Sequence, residues 1–412
     1  MKQSFEPVRG TEDYLPRQME IREYVKAHIL KTYKKYGFMQ IGTPILENIN
    51  LLLGSDGGDN LKLIFKVLKR GEKLDLTKEN LTERDIVDVG LRYDLTVPMV
   101  RMFCNNQNSL PMPFKSIQID YSFRADRPQR GRGRQFIQCD IDILGDPTCN
   151  AEIDILNTTA KTFLGLQFEG FKIKLNDRRI LSQIIASVGF EKESEKDICV
   201  CLDKLDKIDV AGVSEEMVAR GFDQTKTQKL MQIVAEIKKQ GIGAVTKYGV
   251  QESLVQEVQN VLNSVNALSD GKYVAEYDIS IVRGQGYYTG MVYEFYMPNF
   301  RGACAGGGRY DNMVENLTGK SVPAVGLGLG FEPTCLLFAE NNNAISRSKN
   351  IAVIYRPEED FVEVLKYIDT FGENVNGSAI QAKKNLGFQL KTLKENGYTH
   401  FCMFAEKNIK EI

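Results

Sequence analysis

Histidine is almost missing from this chain. Only two occur in 412 residues, His28 and His400. They are too few for a Ser/His/Asp triad or a His-based zinc site. His28 falls in a helical pattern and His400 beside an apolar strand, so both read as structural. The eight cysteines have no CxxC or Cys/His ligand spacing, and read as reduced core thiols of a cytosolic protein. Cys199 and Cys201 sit two apart on one apolar, strand-like run. No apolar run of about 18 residues occurs, so no membrane-spanning helix is expected. The opening MKQSFEPVRGTEDYLP has no signal-peptide core. Charge of one sign is also lacking, with 53 basic residues against 54 acidic ones. Contact with nucleic acid must therefore come from local clusters. The chemistry is left to arginine, carboxylate, tyrosine and backbone.

The richest stretch is residues 117 to 144, IQIDYSFRADRPQRGRGRQFIQCDIDIL. It reads as two alternating strands joined by a loop. Ile117, Ile119, Tyr121 and Phe123 share one face; Gln118, Asp120, Ser122 and Arg124 share the other. In the second strand Ile137, Cys139, Ile141 and Ile143 oppose Gln138, Asp140 and Asp142. Pairing the strands sets acids and amides beside Arg124. The loop carries Arg124, Arg127, Arg130, Arg132 and Arg134 against one acid, Asp126. Guanidinium is planar, permanently charged and bidentate toward phosphate, and Gly131 and Gly133 let backbone approach a ligand. A lone basic run is most simply a solvated hairpin. The adjoining carboxylate row points instead to a polyanion over the loop and a small cationic or polar ligand over the strand.

With 42% hydrophobic and 26% charged residues, the composition is that of a soluble globular protein of two or three domains. Residues 9 to 16 suggest a turn and a helix start with Pro16 just inside, and Gly37 stops that helix. A strand is expected over 38–41, and LKLIFKVL reads as another. GLRYDLTVP places Arg92, Asp94 and Thr96 at alternate positions of a strand end, with Pro98 opening a helix; a plain strand-to-helix corner capped by Asp94 or Thr96 fits equally. FKIKLNDRRI reads as a strand with an Asn-Asp turn. From Arg178 to Asp270 helix-period segments with polar faces predict a helical insertion. YDISIVRGQGYYTGMVYEFY reads as a hairpin-like pair, with Arg283, Gly284 and Gly286 beside Tyr287 and Tyr288, suited to an anionic group next to a flat ring. GGGRYD, residues 306 to 311, reads as a glycine turn. Gly326, Gly328 and Gly330 alternate and leave one strand face bare for a flat ligand. Glu332 ends that strand and Pro333 begins a helix. Residues 340–349 read as a linker. Residues 350–412 read strand, helix, helix, strand, a small α/β domain.

Taken in order, FRADRPQRGRGRQFIQCDIDILG, LRYDLTVP, VRGQGYYTG and GGGRYD resemble the motifs of the histidine–tRNA ligases, which are class II aminoacyl-tRNA synthetases. The resemblance runs from Arg9 to about Glu406. It implies an α+β fold in which helices flank an antiparallel sheet, with motif one at a homodimer interface around Thr43, Pro44 and Glu47. The implied domains are a catalytic core in two parts, 1–177 and 271–340, a helical insertion over 178–270, and an anticodon-reading α/β domain over 350–412. The resemblance implies histidine, ATP with Mg2+, and tRNA(His) as ligands. Asp94, Thr96, Gln138 and Asp142 would bind the histidine amino group and side chain, and Tyr287 and Tyr288 would line its ring pocket. Arg124 would hold the α-phosphate, Arg132 the other phosphates, and Arg283 the charge that develops in adenylate formation. Gly328 and Gly330 would lie under the adenosine. Three departures stand out. Glu332-Pro333 replaces the usual Glu-Arg of motif three, an arginine that normally meets ATP. Gln285-Gly286 stands where many members have Leu-Asp. The C-terminal domain is short. The competing readings are the regulatory subunit of ATP phosphoribosyltransferase and a catalytically lapsed paralogue that still binds histidine or tRNA.

Overall fold

A computed structural model describes residues 5–54, 58–129, 131, 133–205, 208–282, 287–341 and 349–412. The chain divides into two compact units. One comprises residues 1–14 and 22–341; the other comprises 342–412 with 15–21.

The first unit is built on an eight-stranded, mostly antiparallel sheet. Its strand order is Met39–Gln40, Phe114–Phe123, Gln135–Leu144, Ala324–Gly330, Ala303–Arg309, Met291–Tyr296, Phe171–Asp177, Tyr273–Tyr277. Only the two outermost pairs are parallel. The expected hairpin forms, with Ile117 opposite Ile141, Gln118 opposite Asp140 and Asp120 opposite Gln138. On its apolar face Ile117, Ile137, Cys139, Ile141 and Ile143 are buried and Ile119, Tyr121 and Phe123 partly so, while Gln118 and Ser122 on the polar face are buried beneath the cleft side of the sheet. Helices Pro16–Lys35, Asn150–Gly165 and Phe331–Glu340 belong to this core through buried Val25, Ile29, Tyr33, Ile155, Leu156, Phe331 and Phe338. Gly37, at φ 83°, closes the first of these helices as its position suggests.

Several expectations are corrected. Tyr273–Tyr277 and Met291–Tyr296 do not pair with each other, because Phe171–Asp177 lies between them and bonds to both. The Asn-Asp pair at 176–177 makes no turn. Asp177 ends the strand and caps helix Arg178–Val188 by accepting from the Arg179 amide at 2.8 Å. GGGRYD is no glycine turn either: Gly306, Gly307 and Gly308 lie inside the strand Ala303–Arg309. Close backbone packing overrides the poor strand propensity of glycine here. A Cβ on Gly307 would lie 2.0 Å from the Gly326 carbonyl oxygen and 2.7 Å from Leu327 Cα. LKLIFKVL gives only a short strand, Lys66–Leu68, and Cys199 and Cys201 lie on a helix, Glu195–Leu202. The segment from Arg178 to Ala267 is helical in its described part.

The second unit holds a four-stranded sheet ordered Val375–Gln381, Lys349–Tyr355, His400–Met403, Asn408–Glu411, with helices Phe361–Asp369 and Leu386–Glu395. Alternate residues of Lys349–Tyr355 bury against opposite faces: Ile351 and Val353 with Val364, Ala352 and Ile354 with Leu393. The reading strand, helix, helix, strand missed Val375–Gln381 and Asn408–Glu411. Both are edge strands without an apolar row, so period-two hydrophobicity does not mark them. The linker over 340–349 lies largely outside the described residues.

Gly307→Ala tests the backbone contact at the middle of the large sheet. It is expected to destabilise the chain by about 1–3 kcal/mol or more in urea unfolding. Gly243→Ala, whose Cβ would meet nothing within 4 Å, is expected to shift the midpoint little.

Candidate active site

The polar face of the hairpin lines a small cleft. Asp94, Thr96, Arg124, Gln138, Asp140, Asp142, Tyr287, Tyr288 and Tyr310 surround about 540 Å³, with Gly306, Gly326 and Gly328 as its glycine wall. The wall follows from register: Gly326 faces Asp142, Gly328 faces Asp140 and Gly330 faces Gln138. A Cβ on Gly326 would lie 2.0 Å from Asp142 Oδ1, and one on Gly328 2.8 Å from Asp140 Oδ1. The bare strand face anticipated for a flat ligand is therefore partly filled by carboxylates.

Three carboxyl groups share this cleft with few cations, and burial raises all of them. Asp94 is pushed up to about 6 by desolvation, against the Val97 amide and Arg124, which favour its charged form. Desolvation takes Asp142 to about 7, offset by a 2.5 Å hydrogen bond from the Tyr310 hydroxyl. Asp140 is raised by burial first and then by Asp142 and Asp94. Asp94 Oδ2 is buried without a partner among the described residues. Buried acceptors of this kind suit a ligand that brings N–H donors.

The LRYDLTVP stretch is only partly as expected. The strand ends at Leu91 and helix Thr96–Asn106 begins two residues before Pro98. Residues 92–95 are not extended pairing strand, so alternate spacing does not put three side chains on one face. Asp94 and Thr96 reach the cleft, and Asp94 Oδ1 accepts from the Val97 amide at 3.1 Å. Arg92 turns away and is fully buried. It donates to the carbonyls of Tyr121 and Thr43 at 2.7 Å and pairs with Asp120 at 2.7 Å. Thr43 is further held by Gln118, and Glu47 by Arg101 at 2.6 Å.

A second cavity, about 970 Å³, adjoins the cleft and shares Arg124, Gln138, Gly306 and Gly328 with it. Gly131, Gly133, Phe136, Gly330, Glu332 and Pro333 are among its other lining residues. Arg124 is the one cation among the described residues that line it. Its Nε donates to the Tyr93 carbonyl at 2.8 Å and its guanidinium lies 5.2 Å from the Phe136 ring. Arg134 donates to the Asp126 carbonyl and lines neither cavity. Arg130, Arg132 and Arg283, with Gly284, Gln285 and Gly286, lie outside the described residues. Glu332 and Pro333 sit in the first turn of helix Phe331–Glu340, which begins two residues before the expected start at Pro333, and the strand before it ends at Gly330, not Glu332. Glu332 accepts from Arg22 and from the Ile137 amide at 3.2 Å, and Arg22 lies 3.7 Å from the Tyr14 ring centroid.

Tyr310 escaped the sequence reading. Its signal was present, since GGGRYD was singled out, but reading it as a turn hid the direction of the tyrosine. Its neighbour Arg309 anchors it by donating to both Glu152 oxygens at 2.7 and 2.6 Å, and to the Asp146 and Thr148 carbonyls. Asp140, noted in the polar row but given no role, also lines the cleft.

Because Asp142 is raised above its unfolded value of about 3.9, its charge opposes folding once pH exceeds that value. This penalty is absent near pH 4 and grows as pH rises toward 7. Asp142→Asn is therefore expected to raise the thermal midpoint of the ligand-free protein at pH 7.5 and leave it nearly unchanged at pH 4. The gain should correspond to about 1 kcal/mol or more. Equal shifts at both pH values would contradict the assigned cause.

The model of one protein family, described as histidyl-tRNA synthetase, matches residues 10–333. A histidine–tRNA ligase of Leifsonia xyli is 36% identical over 342 residues, covering 79% of this chain and 78% of that one. One from Christiangramia forsetii is 30% identical over 424 residues, covering 98% and 92%. Among solved structures, histidyl-tRNA synthetase from Nostoc sp. PCC 7120 has a similar fold, with TM-score 0.77 at 23% identity over 97% of this chain and 91% of that one. A Bacillus halodurans protein described as an ATP phosphoribosyltransferase regulatory subunit/histidyl-tRNA synthetase has the same TM-score at 17% identity, covering 98% and 99%. With a family match across most of its length and relatives above 30% identity, this chain belongs to the histidyl-tRNA synthetase family.

Proposed function

We infer that this chain is a class II histidine–tRNA ligase that activates histidine with ATP and charges tRNA(His). One observation carries the reading: a small acid-lined cleft opens through Arg124 and Gln138 into a larger cavity. The carboxyl groups of Asp94 and Asp142 and the Gln138 carbonyl oxygen suit the ammonium and ring N–H of histidine. Thr96 and Tyr310 complete that polar lining, and Tyr287 and Tyr288, with ring centroids 4.7 Å apart, offer an aromatic wall for the imidazole. Adenosine takes the larger cavity, which Gly328 and Gly330 help to line.

In the first step a histidine carboxylate oxygen attacks the α-phosphorus, the bond to pyrophosphate breaks, and histidyl adenylate forms. In the second, a hydroxyl at the tRNA 3′ end attacks the histidyl carbonyl and AMP leaves. Arg124 stands between the cavities, where a fixed cation stabilises charge on the α-phosphate. Arg283 and Arg132 supply further cations to the phosphates. Mg2+ accompanies the nucleotide phosphates. The α/β unit over 350–412 reads the anticodon, and the helices of 178–270 form an insertion in the catalytic core. A homodimer forms around Thr43, Pro44 and Glu47, where exposed Ile45 and Leu46 need cover. A cytoplasmic location suits this activity, and no helix among the described residues is long and apolar enough to cross a membrane.

Histidine-dependent exchange of pyrophosphate into ATP tests the reading. Exchange well above background is expected, and its absence from purified, folded protein would rule the ligase out in favour of the regulatory subunit or a lapsed paralogue. Arg283→Ala should lower the exchange rate by about 10²–10³-fold without changing the circular dichroism spectrum. An unaffected rate would remove Arg283 from the chemistry.

A further inference from the structure

The family resemblance gives Asp140 no task, yet it is 4% exposed in the middle of the cleft. Its strand neighbours are Gln118 on one side and Gly328 on the other. Gln118 spends its amide N–H on Thr43 Oγ1 at 2.6 Å. On the same strand, two residues away, Gln138 Nε2 donates to Asp140 Oδ1 at 3.5 Å. Both atoms lie over the bare Gly328: a Cβ there would stand 2.8 Å from Asp140 Oδ1 and 3.4 Å from Gln138 Nε2. Any side chain at 328 would drive the pair apart.

The two ends of a glutamine amide are chemically opposite, one accepting and the other donating. An ionised carboxylate only accepts. Facing Asp140 Oδ1, the Gln138 amide presents its NH2, and with the carboxylate charged the flipped rotamer would set oxygen against oxygen. The consequence is visible at the other end: Gln138 Oε1 is buried with no partner among the described residues. Gln138 lines both cavities, so this unused acceptor stands where a ligand ammonium needs one. Burial first, then Asp142 and Asp94, raise Asp140 above the usual carboxylate range, and Arg124 and Arg92 oppose that shift; a ligand ammonium entering the cleft favours the charged form that the orienting role requires.

We propose that Asp140 is a positioning residue that locks the Gln138 amide with its oxygen toward the amino group of the bound amino acid. It acts through Gln138 and does not touch the ligand. Asn at 140 can face Gln138 with either oxygen or NH2, so the lock is lost while shape is kept. This inference rests on the reading of the cleft as the histidine site.

The test uses the full chain at pH 7.5, comparing wild type, Asp140→Asn, Gln138→Ala and the double variant by pyrophosphate exchange. Asp140→Asn should raise the KM for histidine about tenfold, the scale of one charge-assisted hydrogen bond, and leave the KM for ATP unchanged. The double variant should be no worse for histidine than Gln138→Ala alone, since the effect of Asp140 passes through Gln138. A histidine KM unchanged by Asp140→Asn overturns the proposal, as do additive losses or a parallel rise in the KM for ATP. Wild-type protein without exchange would instead overturn the ligase reading. In that case calorimetric titration with histidine on the same four proteins reads the same cycle, and additive losses there sink the lock independently.

Discussion

The structure depends on setting a row of acids against a strand that has no side chains on the facing side. Asp142, Asp140 and Gln138 need space above the sheet, and Gly326, Gly328 and Gly330 supply it in register. Carboxylates so buried resist ionisation, as the raised Asp94 and Asp142 testify. That resistance is a folding cost at neutral pH which a cation-bearing ligand relieves, so a cleft of this kind holds its ligand partly by ending its own frustration.

Arginines divide here between architecture and ligand binding, and sequence context does not separate them. Arg92 sits two residues from Asp94, yet is spent on the backbone that anchors the Thr43 segment. Arg309 is spent on Glu152 and the carbonyls at the start of the adjoining helix, which fixes the chain where Tyr310 reaches Asp142. Arg22 grips Glu332 from the far side of the helix start. Each is buried and committed to protein partners, a costly arrangement unless geometry and partners are both in place. Arg124, by contrast, uses Nε on one carbonyl and turns its face to both cavities.

Pro333 is a local departure with a local accommodation. Proline is tolerated in the first turn of a helix because the amide there needs no helical partner. It lines the larger cavity beside Gly330 and lies 3.8 Å from where a Cβ on Gly131 would stand. The ring takes up volume against Gly131 of the arginine loop.

The alternating pattern of 117–144 was enough to determine the hairpin and which side chains share each of its faces, because side-chain direction in a strand repeats every two residues and is a local property. The places of Gln138 and Asp142 in the cleft were legible for the same reason, whereas Asp94 reaches it from the turn before helix Thr96–Asn106. What only tertiary structure decided was adjacency. Phe171–Asp177 separates two segments that sequence reading paired, Gly306–Gly308 became the sheet interior instead of a turn, and Tyr310 was carried across to Asp142. Such choices depend on distant strands closing on one another, and no pattern within a short window records which partner will arrive.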